Sequence, residues 1–187
     1  MCKDLEKIIL DKKQIAAKVK EVAAWLDDRF KDADTMPLAI SVLKGSVYFF
    51  CDVTREMKTP VQLDFMTVSS YGKSTQSSGT PKIIMDLSSD VQGRDVILIE
   101  DIVDSGYTLV RMKNLILGRG AKSFTSVTLL DKPSRRKTPI KADYSCCEVG
   151  DEFVVGYGLD YDEQYRNLTC VGVLKREVYE NKTKSLA

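Results

Sequence analysis

Apolar side chains recur at Ile15, Val19, Val22, Leu26 and Phe30, with polar residues at most positions between them. That spacing places them on one face of a helix. Asp11 stands ahead of the run as a cap, and Gln14, three residues on, completes a capping box. A helix is therefore predicted over about 11–31. The period then changes. Pro37 to Leu43 is a short, nearly continuous apolar run, as a strand buried on both faces requires. It breaks at Lys44-Gly45-Ser46, and Val47 to Met57 returns to helical spacing. Val61 to Tyr71 and Lys82 to Leu87 are predicted strands. Asp95-Val96-Ile97-Leu98-Ile99 is the best buried strand, and it leads through Glu100-Asp101 to a helix over about Thr108–Leu117. Ser123 to Leu130 is the next strand. Asp143–Val149, Glu152–Tyr157 and Thr169–Leu174 are predicted as shorter ones.

Strands alternate with helices through the first two-thirds. The predicted class is therefore α/β, with a mainly parallel twisted sheet flanked by helices. The late strands suggest an antiparallel addition. No internal repeat or separating linker is evident. Residues 71–81 (YGKSTQSSGTP) are almost without apolar side chains and read as a loop or lid.

Composition narrows the chemistry. The 187 residues suffice for one domain with its own core. The net charge is +1, so bulk electrostatics give no reason to expect a nucleic-acid or anionic-membrane partner. There is no histidine. That excludes Ser-His-Asp and Cys-His nucleophilic catalysis and HExxH zinc chemistry. The five cysteines, Cys2, Cys51, Cys146, Cys147 and Cys170, form no CxxC pair and are odd in number, as free thiols in a reducing compartment are. No leader-like start or apolar run of about 18 residues occurs, so a cytoplasmic protein is expected. Ser185-Leu186-Ala187 is only a distant echo of a peroxisomal signal.

The pointed feature is the end of the best strand, Glu100-Asp101-Ile102-Val103-Asp104-Ser105-Gly106-Tyr107-Thr108. In an open α/β sheet, ligands bind beyond the carboxyl ends of the strands. A loop feeding a helix N-terminus offers free N–H groups and a partial positive charge to a phosphate. Gly106 allows close backbone approach, and Ser105 and Thr108 carry hydroxyls. Carboxylates beside such a loop suit ribose hydroxyls or Mg2+ rather than the phosphate itself. A phosphorylated sugar is one reading. The other is a strand that merely ends in two acids, with Asp104 capping a helix; the pattern alone leaves both open. A Walker A loop is absent.

The stretch Glu100 to Leu109 closely resembles the signature of the type I phosphoribosyltransferases. Three further matches follow the same order: Leu43-Lys44-Gly45-Ser46 resembles their pyrophosphate loop, Ser70-Tyr71 their flexible loop, and Phe153 to Arg166 the purine-binding segment of the hypoxanthine-guanine branch. The likeness covers about 36–175. It implies one domain over 1–187, with a core at about 36–150 and a small hood from about 1–35 plus 151–187. It also implies Mg2+-dependent transfer of 5-phosphoribosyl from phosphoribosyl pyrophosphate to N9 of hypoxanthine or guanine, with xanthine left open, and a homodimer or homotetramer.

By the same likeness, Glu100, Asp101, Asp104, Ser105, Gly106, Tyr107 and Thr108 bind the phosphoribose. Lys44, Gly45 and Arg166 hold pyrophosphate, and the Lys44-Gly45 peptide can be cis. Asp104 is the proton acceptor near purine N7. Lys132 faces the 6-oxo group, Phe153 stacks on the base, and Val154 and Asp160 read its edge. Glu100, Asp101 and Asp160 are the implied Mg2+ ligands. Taken singly, several of these residues have plainer readings. Phe153 could be a core aromatic, Lys132 part of a solvated basic loop over 132–141, Arg166 a partner of Asp162, and Tyr71 a loop anchor. That basic loop is also the one feature favouring a nucleotide-responsive RNA-binding regulator on the same fold.

Overall fold

The computed structural model describes residues 3–68 and 83–184. Along the chain these form β1 (Leu5–Leu10), α1 (Lys12–Phe30), β2 (Leu38–Leu43), α2 (Val47–Glu56), β3 (Gln62–Val68), β4 (Ile83–Met85) and β5 (Asp95–Val103). There follow α3 (Tyr107–Gly118), β6 (Ser123–Asp131), β7 (Tyr144–Glu148), β8 (Val154–Val155), β9 (Val171–Leu174) and α4 (Arg176–Lys184). No helix among the described residues is long and apolar enough to cross a membrane.

The large sheet has the order β4-β3-β2-β5-β6-β7. All its pairings are parallel except that of β4, which closes one edge antiparallel to β3. Side chains of β5 alternate between two cores, as the period-two geometry of a strand requires. Ile97 and Ile99 join the helices α1 and α2 through Val22, Leu26, Phe49, Phe50 and Val53. Val96 and Leu98 face the other way, onto Leu109, Met112 and Ile116 of α3. The apolar stripe of α1 is the one its spacing predicts, and both bonds of the Asp11–Gln14 capping box are made, each 2.8 Å long.

Three differences from the expected layout have local causes. Of the first 35 residues, expected in a hood, only β1 pairs with the late strands, in a small antiparallel sheet of order β1-β9-β8. Helix α1 instead covers the large sheet, because its stripe is wide enough to meet both α2 and the strand faces. The Asp143–Val149 strand, expected in the antiparallel addition, runs parallel to β6 as the sheet's last strand. The strand expected over Glu152–Tyr157 shrinks to two residues, because Gly156 (φ +98°) and Gly158 (φ +106°) turn the chain.

Sheet order fixes where a ligand can sit. From β2 the chain winds outward to β3; from β5 it winds the opposite way to β6. The β2–β5 boundary is thus the topological switch point, and a crevice opens beyond its carboxyl ends.

Leu26, fully buried between α1 and the sheet, ties the helix down. Leu26→Ala is expected to lower unfolding free energy by about 2–5 kcal/mol with an unchanged m-value, read by urea titration.

Candidate active site

Two loops meet at the switch point. After β2 the chain passes through Lys44-Gly45 into α2. Ser46 locks this turn, its hydroxyl donating to the Val42 carbonyl (2.7 Å) and lying 2.8 Å from the Ser41 hydroxyl. Gly45 has no room for a side chain: a Cβ there would lie 1.6 Å from Asp101 Oδ2. The cis peptide is Leu43-Lys44, one bond before the expected Lys44-Gly45, at the point where the chain leaves the sheet. Gly158 closes from the other side, and a Cβ on it would lie 1.8 Å from the Gly45 carbonyl oxygen.

The second loop follows β5. Gly106 adopts φ +86°, and a Cβ there would meet Thr138 Oγ1 at 2.2 Å. Gly106 is itself the N-cap of this 12-residue helix and has no side chain with which to cap it. The nearest approach to a cap is the Ser105 hydroxyl, 3.5 Å from the Tyr107 N–H. The first turn of α3 therefore keeps donors to offer to a ligand. This decides against Asp104 as the cap and leaves a helix N-terminus of the kind that suits an anion. The wall behind it is the basic loop. Lys137 N–H and the Thr138 hydroxyl both donate to the Ser105 carbonyl, at 3.0 and 3.3 Å. Arg136 pairs with Asp131 and donates to the Ile140 carbonyl, Arg135 lies near Asp104 and Asp151, and Lys132 is buried. Three of the loop's cations are therefore engaged within the fold, which weighs against an RNA-binding surface.

A cleft of about 360 Å3 results, lined by Lys44, Gly45, Glu100, Asp101, Asp104, Ser105, Gly106, Thr108, Asp160 and Arg166 together with Val68 and Leu159. Its floor is acidic. Glu100 is buried, and its Oε1 has no hydrogen-bond partner. Burial, and then the neighbouring Asp101 charge, push the Glu100 carboxyl well above the usual range. Burial also pushes Asp101 up to about 6; the Ile102 N–H, 2.7 Å away, and the Arg166 guanidinium pull the other way. Asp104 Oδ1 is buried without a hydrogen-bond partner, with Arg135 Nε 3.7 Å away.

Two cations line the same cleft, Lys44 and Arg166. Arg166 donates to the Gly158 carbonyl (2.7 Å) and pairs with Asp160 (2.8 Å) and Glu163 (3.3 Å). Lys44 pairs with the same Glu163 at 3.0 Å. Sequence reading missed Glu163, which ties the two cations together. It also missed Gly158, whose signal was a pair of alternate glycines in an otherwise apolar run.

Of the expected base-binding residues, Asp160 lines the cleft, whereas Lys132, Phe153 and Val154 do not. Lys132 is 5% exposed and donates to the Glu152 carbonyl at 2.7 Å, so it is no solvated charge. Burial holds its ammonium below the usual lysine range, and the Asp104 carboxylate works against that. Phe153 is 37% exposed and thus no core residue, while Val154 is buried in β8. Tyr107 is exposed at the start of α3. Ser70 and Tyr71, with the rest of the 71–81 segment, lie outside the described residues.

A helix N-terminus capped only by a glycine, in one cleft with the buried Glu100 and its neighbour Asp101 at a sheet switch point, is an arrangement that suits a phosphorylated sugar. The family model of the phosphoribosyl transferase domain matches residues 6–162, and the chain belongs to that family. It is 54% identical to the hypoxanthine-guanine phosphoribosyltransferase of Bacillus subtilis (strain 168), over 95% of this chain and 98% of that one. It is 47% identical to the protein of the same name from Streptococcus thermophilus, over 95% and 97%. Among solved structures, a point mutant of hypoxanthine phosphoribosyltransferase from Trypanosoma cruzi, complexed with the product IMP, superposes with a TM-score of 0.91 at 36% identity, covering 97% of each chain. The Staphylococcus aureus enzyme of that name gives 0.88 at 44% identity, covering 94% of this chain and 95% of that one.

Asp101 sets a stability prediction. Its folded value of about 6 lies above the ordinary 3.8, so between these the folded state holds the extra proton. Its contribution to stability is full at low pH and is lost as pH rises through about 6. In chelator, wild-type Tm should fall relative to Asp101→Asn between about pH 4 and about pH 7. Parallel melting curves across that window would remove the assignment.

Proposed function

We propose that this chain is a purine-salvage enzyme that transfers 5-phosphoribosyl from phosphoribosyl pyrophosphate to N9 of hypoxanthine or guanine. The products are IMP or GMP and pyrophosphate. The carrying observation is the shared cleft, in which the α3 N-terminus, buried Glu100 with its neighbour Asp101, and unbonded Asp104 Oδ1 converge. The names of the relatives support the choice of base.

In this reading the 104–108 loop takes the 5′-phosphate on its N–H groups and on the Ser105 and Thr108 hydroxyls. Glu100 and Asp101 face the ribose hydroxyls. As the glycosidic bond lengthens, positive charge builds on the sugar and negative charge on the departing pyrophosphate. The carboxylate floor stabilises the first, and Lys44, the Gly45 N–H and Arg166 receive the second. Asp104 accepts the N7 proton of the base, directly or through water. Phe153 carries the ring, main-chain groups at Val154 and Asp160 read its edge, and Lys132 donates to the 6-oxo group. An adenine amino group cannot accept that bond.

The donor set fits Mg2+. Glu100, Asp101 and Asp160 offer hard oxygens, and Glu100 Oε1 is buried with no other partner. Among the described residues no three acidic or thiol groups cluster as a cage. Mg2+ ordinarily uses one or two carboxylates with water and substrate phosphates, so a cage is not required. When bound, it would supply charge neutralisation on the pyrophosphate oxygens. The same reading takes the protein as cytoplasmic and a symmetric dimer or tetramer.

The decisive assay offers guanine, hypoxanthine, xanthine, adenine and uracil with phosphoribosyl pyrophosphate and Mg2+. Nucleotide formation from hypoxanthine or guanine, and none from adenine or uracil, is expected; failure with every 6-oxopurine overturns the proposal. Asp104→Asn should lower kcat by about 10²–10⁴ while binding of phosphoribosyl pyrophosphate changes little. An unchanged kcat would remove Asp104 from proton transfer. Lys132→Gln should erode the preference for hypoxanthine over adenine, and an unaltered ratio of kcat/KM would refute its role.

A further inference from the structure

Phe153 does not stand alone. The ring of Tyr179, on α4, stacks against it with centroids 5.3 Å apart and planes 28° apart. Tyr161 meets it nearly perpendicular, at 5.6 Å and 89°. Tyr161 and Tyr179 are in turn 6.4 Å apart. Three such similar separations make a nearly equilateral triangle of rings. Tyr179 thus stacks along one face of Phe153, while Tyr161, nearly perpendicular to it, does not stack. Tyr179 leaves the opposite face of the phenyl ring uncovered, and Phe153 is 37% exposed.

Helix α4 is anchored where it must be for this. Val178 and Tyr179 pack, with Tyr161, Tyr165, Leu168 and Cys170, against Leu5, Val155 and Leu174 of the small sheet. Tyr165 donates to Asp4 at 3.1 Å, and Lys175 N–H donates to the Asp4 carbonyl at 3.0 Å. The backing ring is thus fixed to the same sheet that carries Phe153. Leu174 N–H donates to the Phe153 carbonyl at 2.8 Å, which fixes the phenyl residue's backbone to the strand leading into α4.

We infer that Tyr179 is a positioning residue for the base: it backs the Phe153 ring so that the free face is held ready for a planar purine. An isolated exposed phenylalanine can swing about its side-chain torsions, and each bound base must first arrest it. A ring already stacked on one face has lost that freedom before the base arrives. Aromatic pairs contribute roughly 0.5–1.5 kcal/mol beyond area burial, equivalent to a change of about two- to twelvefold in binding. This inference rests on the purine reading of Phe153 given above, and it concerns KM for the base rather than the chemical step.

The test is steady-state kinetics on the full chain, with hypoxanthine and phosphoribosyl pyrophosphate varied separately, for Tyr179→Ala, Tyr179→Leu, Tyr179→Phe and Phe153→Ala. Tyr179→Leu keeps apolar bulk on the small sheet and carries the test if the alanine variant does not fold. Expected is a rise of about three- to tenfold in KM for hypoxanthine in the Ala and Leu variants. KM for phosphoribosyl pyrophosphate and kcat should stay within about twofold, and Tyr179→Phe should restore the wild-type value. If Phe153→Ala raises the base KM while Tyr179→Ala and Tyr179→Leu leave it unchanged, the backing role is overturned and the purine reading survives. A parallel shift of kcat and both KM values, tracking a lower Tm, would make Tyr179 merely structural. If Phe153→Ala itself leaves the base KM unchanged, the purine reading of Phe153 fails, and the backing role fails with it.

Discussion

The site depends on a backbone contact that leaves no room for a side chain. Gly45 is pressed between the Asp101 carboxylate and the backbone of Gly158, so that three separate segments touch at one point. One is the exit from β2, the second is the end of β5, and the third is the turn after β8. A Cβ at Gly45 would have to displace the Asp101 carboxylate, and one at Gly158 would meet the Gly45 backbone, which cannot swing clear as a side-chain tip could. The acidic floor, the cationic wall and the turn carrying Asp160 keep their spacing because the backbones are in contact. The Ser46 hydroxyl bonds and the left-handed turns at Gly156 and Gly158 serve that same contact from either side.

Charge is then sorted around this point rather than cancelled. Glu100 and Asp101 are not neutralised by direct pairing with Lys44 or Arg166; those cations pair with Asp160 and Glu163 instead. A carboxylate buried without a partner costs free energy, which appears here as raised proton affinity. Pairing the acids with the lysine and arginine would have lowered that cost and blunted both ends of the site. The fold keeps the unsatisfied oxygens facing the cleft, where a sugar or a cation can meet them. Such preorganised but unquenched charge is what stabilisation of a separating ion pair requires.

Much of this was legible in the sequence, for physical reasons that can be named. The stripe from Ile15 to Phe30 has the period of a helix, and Val96 to Ile99 has the unbroken apolarity of a doubly covered strand, so both elements are written locally. The Glu100–Thr108 run was legible because an apolar strand ending in acids, followed by Ser-Gly-x-Thr, places charge at a strand end and a glycine at a helix start. What could not be read depends on contacts distant in sequence. Lys132 lies in a run of cations and looks solvated, yet it is buried by a segment 20 residues on. Glu163 sits in a polar turn and bridges Lys44, 119 positions away. The short strand β1 was missed because LEKIIL has no clear alternation, and it becomes a strand only by pairing with β9.

The missing histidine acquires a structural counterpart. In most proteins a group that changes charge near neutral pH is an imidazole. Here burial moves a carboxyl into that range, with Asp101 at about 6, while the Cys146 thiol is displaced by burial the other way, to about 12 and out of reach. The position of Asp101 makes the shift consequential. A proton on it weakens the negative floor of the cleft and takes away a candidate cation ligand at the same time. In the proposed transfer, that floor is ionised as positive charge builds on the sugar. Acid should therefore weaken the site through the same burial that raises the Asp101 carboxyl, with no imidazole involved.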